Sequence, residues 1–348
     1  MGRGRGARLG GRVLVAAFLG AALIGSVVAA PVARPRADAA DTAVVKVGTI
    51  GLVSDAGLYV AVEKGYFQEA GVRPQMQRIG SGAKMIPALA TGEIEVAGGT
   101  ASAGLFNSIV SGMDFKVVAD KGQVRPGHEY TLLVVRKDLL DSGAFKDLPD
   151  LRGRKVALLP GQGVVTQYVL GKILEQAQLS WDTVDKVDIA APNHVNLLAN
   201  RQVDAAVTAE PFGAKAELGG VGRRYYVAGR IKALERLQVA VIMYSGKLIA
   251  ERRELARRFM SAYVRGLRFV NQRGLKSDEV IAILTKHIRV SPDDIRVSTP
   301  VYLSPDGRPD VESLAAQQEW YHRMGMVKQK VPMDRAVDLG FLPQEGRP

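Results

Sequence analysis

Residues 44–71 read VVKVGTIGLVSDAGLYVAVEKGYFQEAG. The stretch opens on a run of strand type, 44–52, rich in β-branched residues. A small polar turn, Ser54-Asp55, follows. The next residues, AGLYVAVEK at 56–64, have the composition of a helix that Gly65 stops in the left-handed conformation. A second short turn, 66–70, ends at Gly71. Strand, tight turn and helix in immediate succession are the opening of a parallel α/β unit.

The same alternation continues outward. Strand candidates lie at 94–98, 115–119, 131–136, 155–159, 184–190, 203–208 and 237–244. Most are unbroken apolar runs, as in strands covered on both faces. Helical patterns lie between them, at 83–91 before Gly92 and at 164–177. From about 248 the chain turns helical. Within 250–273, Leu255, Phe259, Ala262, Tyr263, Gly266 and Val270 form one apolar stripe. Arg257, Arg258, Arg265 and Arg268 lie mostly opposite, as a solvated basic face or a docking surface for an anionic partner. Further helices are expected at 277–287 and 311–325, with the turn-rich SPDGRPD (304–310) between them. There is no internal repeat and no long flexible linker.

The 348 residues are 47% apolar and 24% charged, which excludes a disordered, collagen-like or polytopic membrane chain. The absence of cysteine excludes disulfides, zinc ribbons, thiol catalysis and an N-terminal lipid-anchored cysteine. Arg3, Arg5, Arg8 and Arg12 precede the apolar VLVAAFLGAALIGSVVAA (13–30), and Ala37-Asp38-Ala39 forms an A-x-A site. That order marks residues 1–39 as a secretory signal peptide cut after Ala39. No Arg-Arg pair is present in residues 1–39, which favours the general export route. Losing the segment removes six Arg and one Asp, and the formal charge of +12 becomes +7 on 309 residues. Export therefore explains the densest basic cluster, and no nucleic-acid partner is expected. The expected location is the periplasm.

Chemistry-bearing motifs are few. The histidines, 128, 194, 287 and 322, are scattered, with no H-E-x-x-H and no acid cluster at ligand spacing, so no metal or cofactor is expected. There is no G-x-S-x-G elbow and no P-loop. Gly161-Gln162-Gly163 begins like a dinucleotide fingerprint, but Thr166 stands where its third glycine is required. A binder is expected, not an enzyme. What recurs is a set of small or glycine-rich turns ahead of helices: Ser54-Asp55, Gly80-Ser81-Gly82, Gly98-Gly99-Thr100-Ala101-Ser102 and Pro160-Gly161-Gln162-Gly163. Each presents free backbone N–H groups and the positive end of a helix dipole. Several such turns facing one crevice would hold a small anion or polar molecule.

Three blocks then carry a family resemblance. They are Ala61-Val62-Glu63-Lys64-Gly65-Tyr66-Phe67, the run from Ala88 to Ala97 (ALATGEIEVA), and Val203-Asp204-Ala205-Ala206-Val207 leading to Glu210-Pro211-Phe212. In order and spacing they resemble the solute-binding proteins of ABC importers for sulfonates, taurine, nitrate and thiamine precursors. Glu95 replaces the aspartate usual in the second block. The resemblance covers about 44–340. It implies a type II periplasmic-binding fold, two α/β lobes joined by two crossover strands near Tyr130–Arg136 and Gln238–Tyr244. Lobe one would be 44–132 plus 243–340, and lobe two 133–242.

Carried over by position, the ligand contacts implied are Ser54, Asp55, Gly82, Thr100, Ala101 and Ser102 from lobe one. Gln162, Gly163, Val164, Glu210 and Phe212 would come from lobe two, with Arg125 as counter-charge. Tyr130 and Phe212 could pack an apolar ligand body. The implied function is capture of a small organic or inorganic anion of sulfonate, taurine, nitrate or aromatic carboxylate type. A monomer would deliver it to an inner-membrane ABC permease. The alternatives are a binder of a thiamine pyrimidine precursor and a secreted sensor domain contacting a receptor. A related eukaryotic branch makes that pyrimidine with a cysteine-rich motif, which this chain lacks.

Overall fold

Ten strands form two five-stranded sheets among the residues described by the computed structural model, 42–79, 82–227 and 230–344. In chain order they are β1 (Ala43–Thr49), β2 (Val72–Arg78), β3 (Val96–Thr100), β4 (Phe115–Val124), β5 (Thr131–Arg136), β6 (Lys155–Leu158), β7 (Asp185–Asp188), β8 (Ala205–Ala209), β9 (Gly222–Val227) and β10 (Leu237–Ser245). The first sheet runs β2-β1-β3-β10-β4 and the second β7-β6-β8-β5-β9. In each, a parallel trio is followed by an antiparallel fourth strand, the first strand the chain forms after crossing into that sheet. β10 follows the second sheet's strands yet lies in the first sheet, and β5 follows β4 yet lies in the second. The first lobe is thus discontinuous, β1–β4 with β10, and the second is the contiguous run β5–β9.

The chain crosses between lobes just before β5, at 125–130, and again ahead of β10, whose approach is described from 230 to 236. Tyr244 and the rest of β10 pair with β3 and β4, so 237–242, expected in lobe two, belong to the first sheet. Thr131 and Leu132, expected in lobe one, pair with Ala209 and Thr208 of the second sheet. The expected signal segment, 1–39, and the Gly80-Ser81 part of the second turn lie outside the described residues.

Central strands are the apolar runs read from the sequence. Every residue of β8 and β10 is buried, as helices on both faces require. The two strands without an apolar signature, β2 (VRPQMQR) and β9 (GRRYYV), are sheet edges. Half of an edge strand faces solvent, and Pro74 is tolerated there. β4 runs on through Asp120-Lys121, where its expected span stopped at 119.

Gly65 takes φ +74°, ending the helix Ala56–Glu63 as expected. The helix expected at 250–273 is two, Gly246–Glu251 and Arg253–Arg273. Its apolar stripe is buried against Ala56–Glu63, where glycines allow close approach: a Cβ on Gly266 would stand 2.1 Å from the Gly57 carbonyl oxygen. Arg257, Arg265 and Arg268 are exposed, while Arg258 turns back to the Ala70 carbonyl at 3.0 Å. Residues 41–348 form one compact unit. The helix Val311–Arg323 spans both lobes, touching β10 of the first and the helix Val165–Gln176 of the second.

Candidate functional site

The carboxyl ends of β1, β3, β6 and β8 meet across a cavity between the lobes. Open α/β sheets place ligands at this end because helix N-termini and free backbone groups converge there. Lobe one contributes Ile50, Leu52, Ser54, Thr100, Lys121, Val239 and Ala240. The first crossing and lobe two contribute Tyr130, Thr131, Leu159, Val165, Thr166 and Ala209. The walls are mainly apolar, and the space is narrow, with room for about one water molecule.

The polar end of the cavity is built around Lys121. Its side chain is wholly buried, and Nζ lies 2.9 Å from Asp55 Oδ1 and donates to Ser54 Oγ at 3.0 Å. Asp55 Oδ2 in turn accepts the N–H groups of Gly51 and Leu52, at 2.9 and 3.0 Å. This fixes the short 3-10 turn Val53–Asp55 after β1. Gly98 makes room for the lysine, since a Cβ there would stand 2.9 Å from Lys121 Cε. Gly98 to Thr100, read from sequence as part of a turn, are the last residues of β3.

The Tyr130 hydroxyl and Thr131 Oγ1 are buried with no hydrogen-bond partner, and both residues line the cavity. Burial, and then the nearby Asp120 and Asp55 carboxylates, hold Tyr130 well above its ordinary pKa, so it stays a neutral donor. Thr166 Oγ1 accepts the Leu159 N–H at 3.1 Å, leaving its own proton free to donate. Ser54 and Lys121 stand at the spacing of a nucleophile and its base. Asp55 sits on the same ammonium, however, so Lys121 acts there as a donor and not a base.

Of the contacts read from sequence, Ser54 and Thr100 line this cavity, and Asp55 stands behind Lys121. Ala101 is buried, its N–H bonded to Val239 O at 3.3 Å. Ser102, Gly163 and Val164 form a seam between the lobes. The Ala103 N–H donates to Gly163 O at 2.9 Å, and Ser102 bridges to Val164. Ser102 also caps the helix Ala103–Val110 through the Leu105 N–H. Gln162 is exposed beside that seam. Gly82 opens the helix Gly82–Ala90.

Arg125 is not brought to the cavity. Its guanidinium bonds Asp310 Oδ2 at 2.8 Å, and its charge is used there. Glu210 is also taken up elsewhere. Its carboxylate accepts the N–H groups of Ala214 (2.9 Å) and Thr299 (3.1 Å) and pairs with Arg224 at 3.0 Å. Burial still pushes its pKa up. Glu210 therefore ties lobe two to the 297–299 segment. Phe212 packs with Leu52 and Ala191 beside a second groove lined by Arg78 and Arg289.

Lys121, Thr131 and Thr166 were not singled out as contacts. One signal for Lys121 was available: a lysine inside the otherwise apolar FKVVADKGQV cannot be buried without a partner. Among the described residues, no three His, Cys, Asp or Glu side chains cluster to hold a metal ion.

Two α/β lobes, linked by two crossings and each holding the first strand after a crossing antiparallel in its sheet, around an interlobe cavity define a type II periplasmic-binding-protein fold. Residues 54–273 match the model of the NMT1/THI5-like family, and the chain belongs to that family. Solved structures share the fold at low identity. The alkanesulfonate-binding protein SsuA from Xanthomonas axonopodis pv. citri, bound to MOPS, is 18% identical with a TM-score of 0.67, over 86% of this chain and 99% of that one. The periplasmic nitrate-binding protein NrtA from Synechocystis PCC 6803 is 14% identical with a TM-score of 0.69, over 86% of each chain. A ligand-binding component of an ABC-type import system from Staphylococcus aureus, with zinc bound, is 17% identical with a TM-score of 0.69, over 86% of this chain and 97% of that one. No curated protein sequence matches.

Proposed function

We propose that the chain is a non-enzymatic solute-binding protein that encloses a small organic solute between its lobes and delivers it to the permease of an ABC importer. The observation that carries this is the cavity, walled by both lobes, whose lining residues Tyr130 and Thr131 carry buried hydroxyls with no partner in the protein. A buried polar group left unpaired costs about 1–3 kcal/mol, and a solute that accepts from it removes that cost. Closure of two lobes on a ligand gives a permease a shape to read. The named functions of the similar structures, alkanesulfonate binding, nitrate binding and ABC-type import, support the transport reading. The signal segment expected at 1–39 supports a periplasmic location, and a cavity walled by two lobes of the same chain suits a monomer.

The sequence favours an anion as the solute, with an uncharged pyrimidine precursor as the alternative. An anion needs a cation free to meet it. Lys121 is matched by Asp55, and Arg125 is held away from the cavity at Asp310, a carboxylate it shares with Arg236, which favours the uncharged alternative. A secreted sensor domain would use the same cavity, and nothing in the geometry favours it over transport.

The test is a thermal-shift screen of residues 40–348 against sulfonates, nitrate, carboxylates, amides and pyrimidines. A specific solute raises the melting temperature with its concentration. Failure of every small solute to do so would overturn the reading.

A further inference from the structure

We infer that the Lys121–Asp55 pair is a charge filter: it makes the polar end of the cavity neutral, so the site takes an uncharged, acceptor-bearing solute and rejects the anion of the same shape. The inference rests on the solute-binding reading and goes beyond it by fixing the solute's charge.

Three observations converge. First, the one ammonium on the cavity wall is already neutralised. Lys121 Nζ lies 2.9 Å from Asp55 Oδ1, and both side chains are wholly buried. Adding an anion would leave two negative charges against one positive charge in a site with little water, where uncompensated charge is most costly. Second, the remaining polar groups on the wall are donors without charge. The Tyr130 hydroxyl and Thr131 Oγ1 have no partner, and Thr166 keeps its proton after accepting from Leu159. A carbonyl, sulfonyl or ring-nitrogen acceptor satisfies them without bringing a charge. Third, the carboxylate next along β4 adds to the negative side. Asp120 is wholly buried and takes its hydrogen bonds from Gly122, Gln238 and Ser304, none of which is a cation. Ser54 and Thr100 carry uncharged hydroxyls and the other wall residues named above are apolar, so no further cation on this wall offsets it.

The experiment uses matched probes differing only in charge: benzamide with benzoate, and aliphatic and aromatic sulfonamides with their sulfonates. Binding to the mature chain is measured by titration calorimetry and thermal shift. At least one uncharged probe should bind about tenfold or more tighter than its anionic partner. Asp55→Asn, which frees the ammonium while keeping one acceptor oxygen for the Gly51 and Leu52 N–H groups, should reverse that order. Should Asp55→Asn fold poorly, the double variant Asp55→Asn/Lys121→Met removes both charges and should keep the uncharged probe bound. Tighter binding of the anionic partners to the unaltered chain would overturn the filter and leave the solute-binding reading standing. So would loss of the uncharged probe in the double variant. If no probe of either kind binds the unaltered chain or Asp55→Asn, the solute-binding reading falls and the filter falls with it.

Discussion

Lys121 Nζ lies 2.9 Å from Asp55 Oδ1, and neither side chain has exposed surface. The two come from different elements, β4 and the turn after β1, so their pairing holds the floor of the cavity together. Breaking a buried pair from one side leaves an uncompensated charge, at a cost of about 3–5 kcal/mol. Lys121→Met should lower unfolding stability by that order in urea titration at neutral pH. Asp55→Asn/Lys121→Met should cost clearly less than Lys121→Met alone. A double-variant loss equal to the sum of the Lys121→Met and Asp55→Asn losses would show that the pair does not couple.

Gly163 faces Ala103 across the lobe seam. A Cβ at Gly163 would stand 2.2 Å from the Ala103 Cβ, and its φ of +62° adds strain for any other residue. Gly163→Ala should hold the lobes apart and weaken solute binding about tenfold or more. Gly112→Ala is the control, because its φ is +89° and nothing lies within 4 Å of the added Cβ. Small-angle scattering in saturating solute should show a larger radius of gyration for Gly163→Ala only. If the two variants behave alike, strain and not lobe contact explains the effect.

Burial raises the Asp120 pKa from its usual 3.8 to about 6. Between those values the folded chain holds a proton that the unfolded chain has released. Stability from this group is therefore fully present below about pH 4 and lost as pH rises through about 6. The stability of the parent minus that of Asp120→Asn should fall by something on the order of 2–3 kcal/mol from pH 4 to pH 7. A difference that is flat or rises across that window would contradict the assignment.

Arg224 Nη1 reaches Glu210 Oε1 at 3.0 Å and the Val297 carbonyl at 3.3 Å. Glu210 is wholly buried, and burial already raises its pKa. Arg224→Met removes its cation. The variant should lose about 2–4 kcal/mol at pH 8 and less at pH 5, where the carboxyl can take up a proton. Equal loss at both pH values would show that packing, and not charge, is what Arg224 supplies.

The lobes were legible in the sequence because central strands must be apolar on both faces. The runs at 131–136 and 237–244 therefore stood out and became β5 and β10. The edges β2 and β9 were not legible, since half their residues meet water and carry Arg or Gln. The turn chemistry at Ser54, Asp55 and Thr100 marked one wall of the cavity. Lys121 stayed hidden because its meaning depends on Asp55, 66 positions earlier, which only the fold brings beside it. Arg125 and Glu210 looked like ligand contacts for the opposite reason. Their partners, Asp310 and Arg224, are distant in sequence, so both charges looked free.

The central claim is that the interlobe cavity binds solute through hydroxyls the protein leaves unpaired. The most direct test is Thr131→Val, which keeps the side-chain shape and removes only the orphan hydroxyl. Two quantities are compared with the parent: the solute-free melting temperature, and the dissociation constant for the best solute from the screen. Without solute, the variant should melt at the same temperature or higher, since a buried unpaired group is gone. Its affinity should fall about tenfold, because one donor to the solute is lost. An unchanged dissociation constant, with solute still raising the melting temperature as in the parent, would contradict the account.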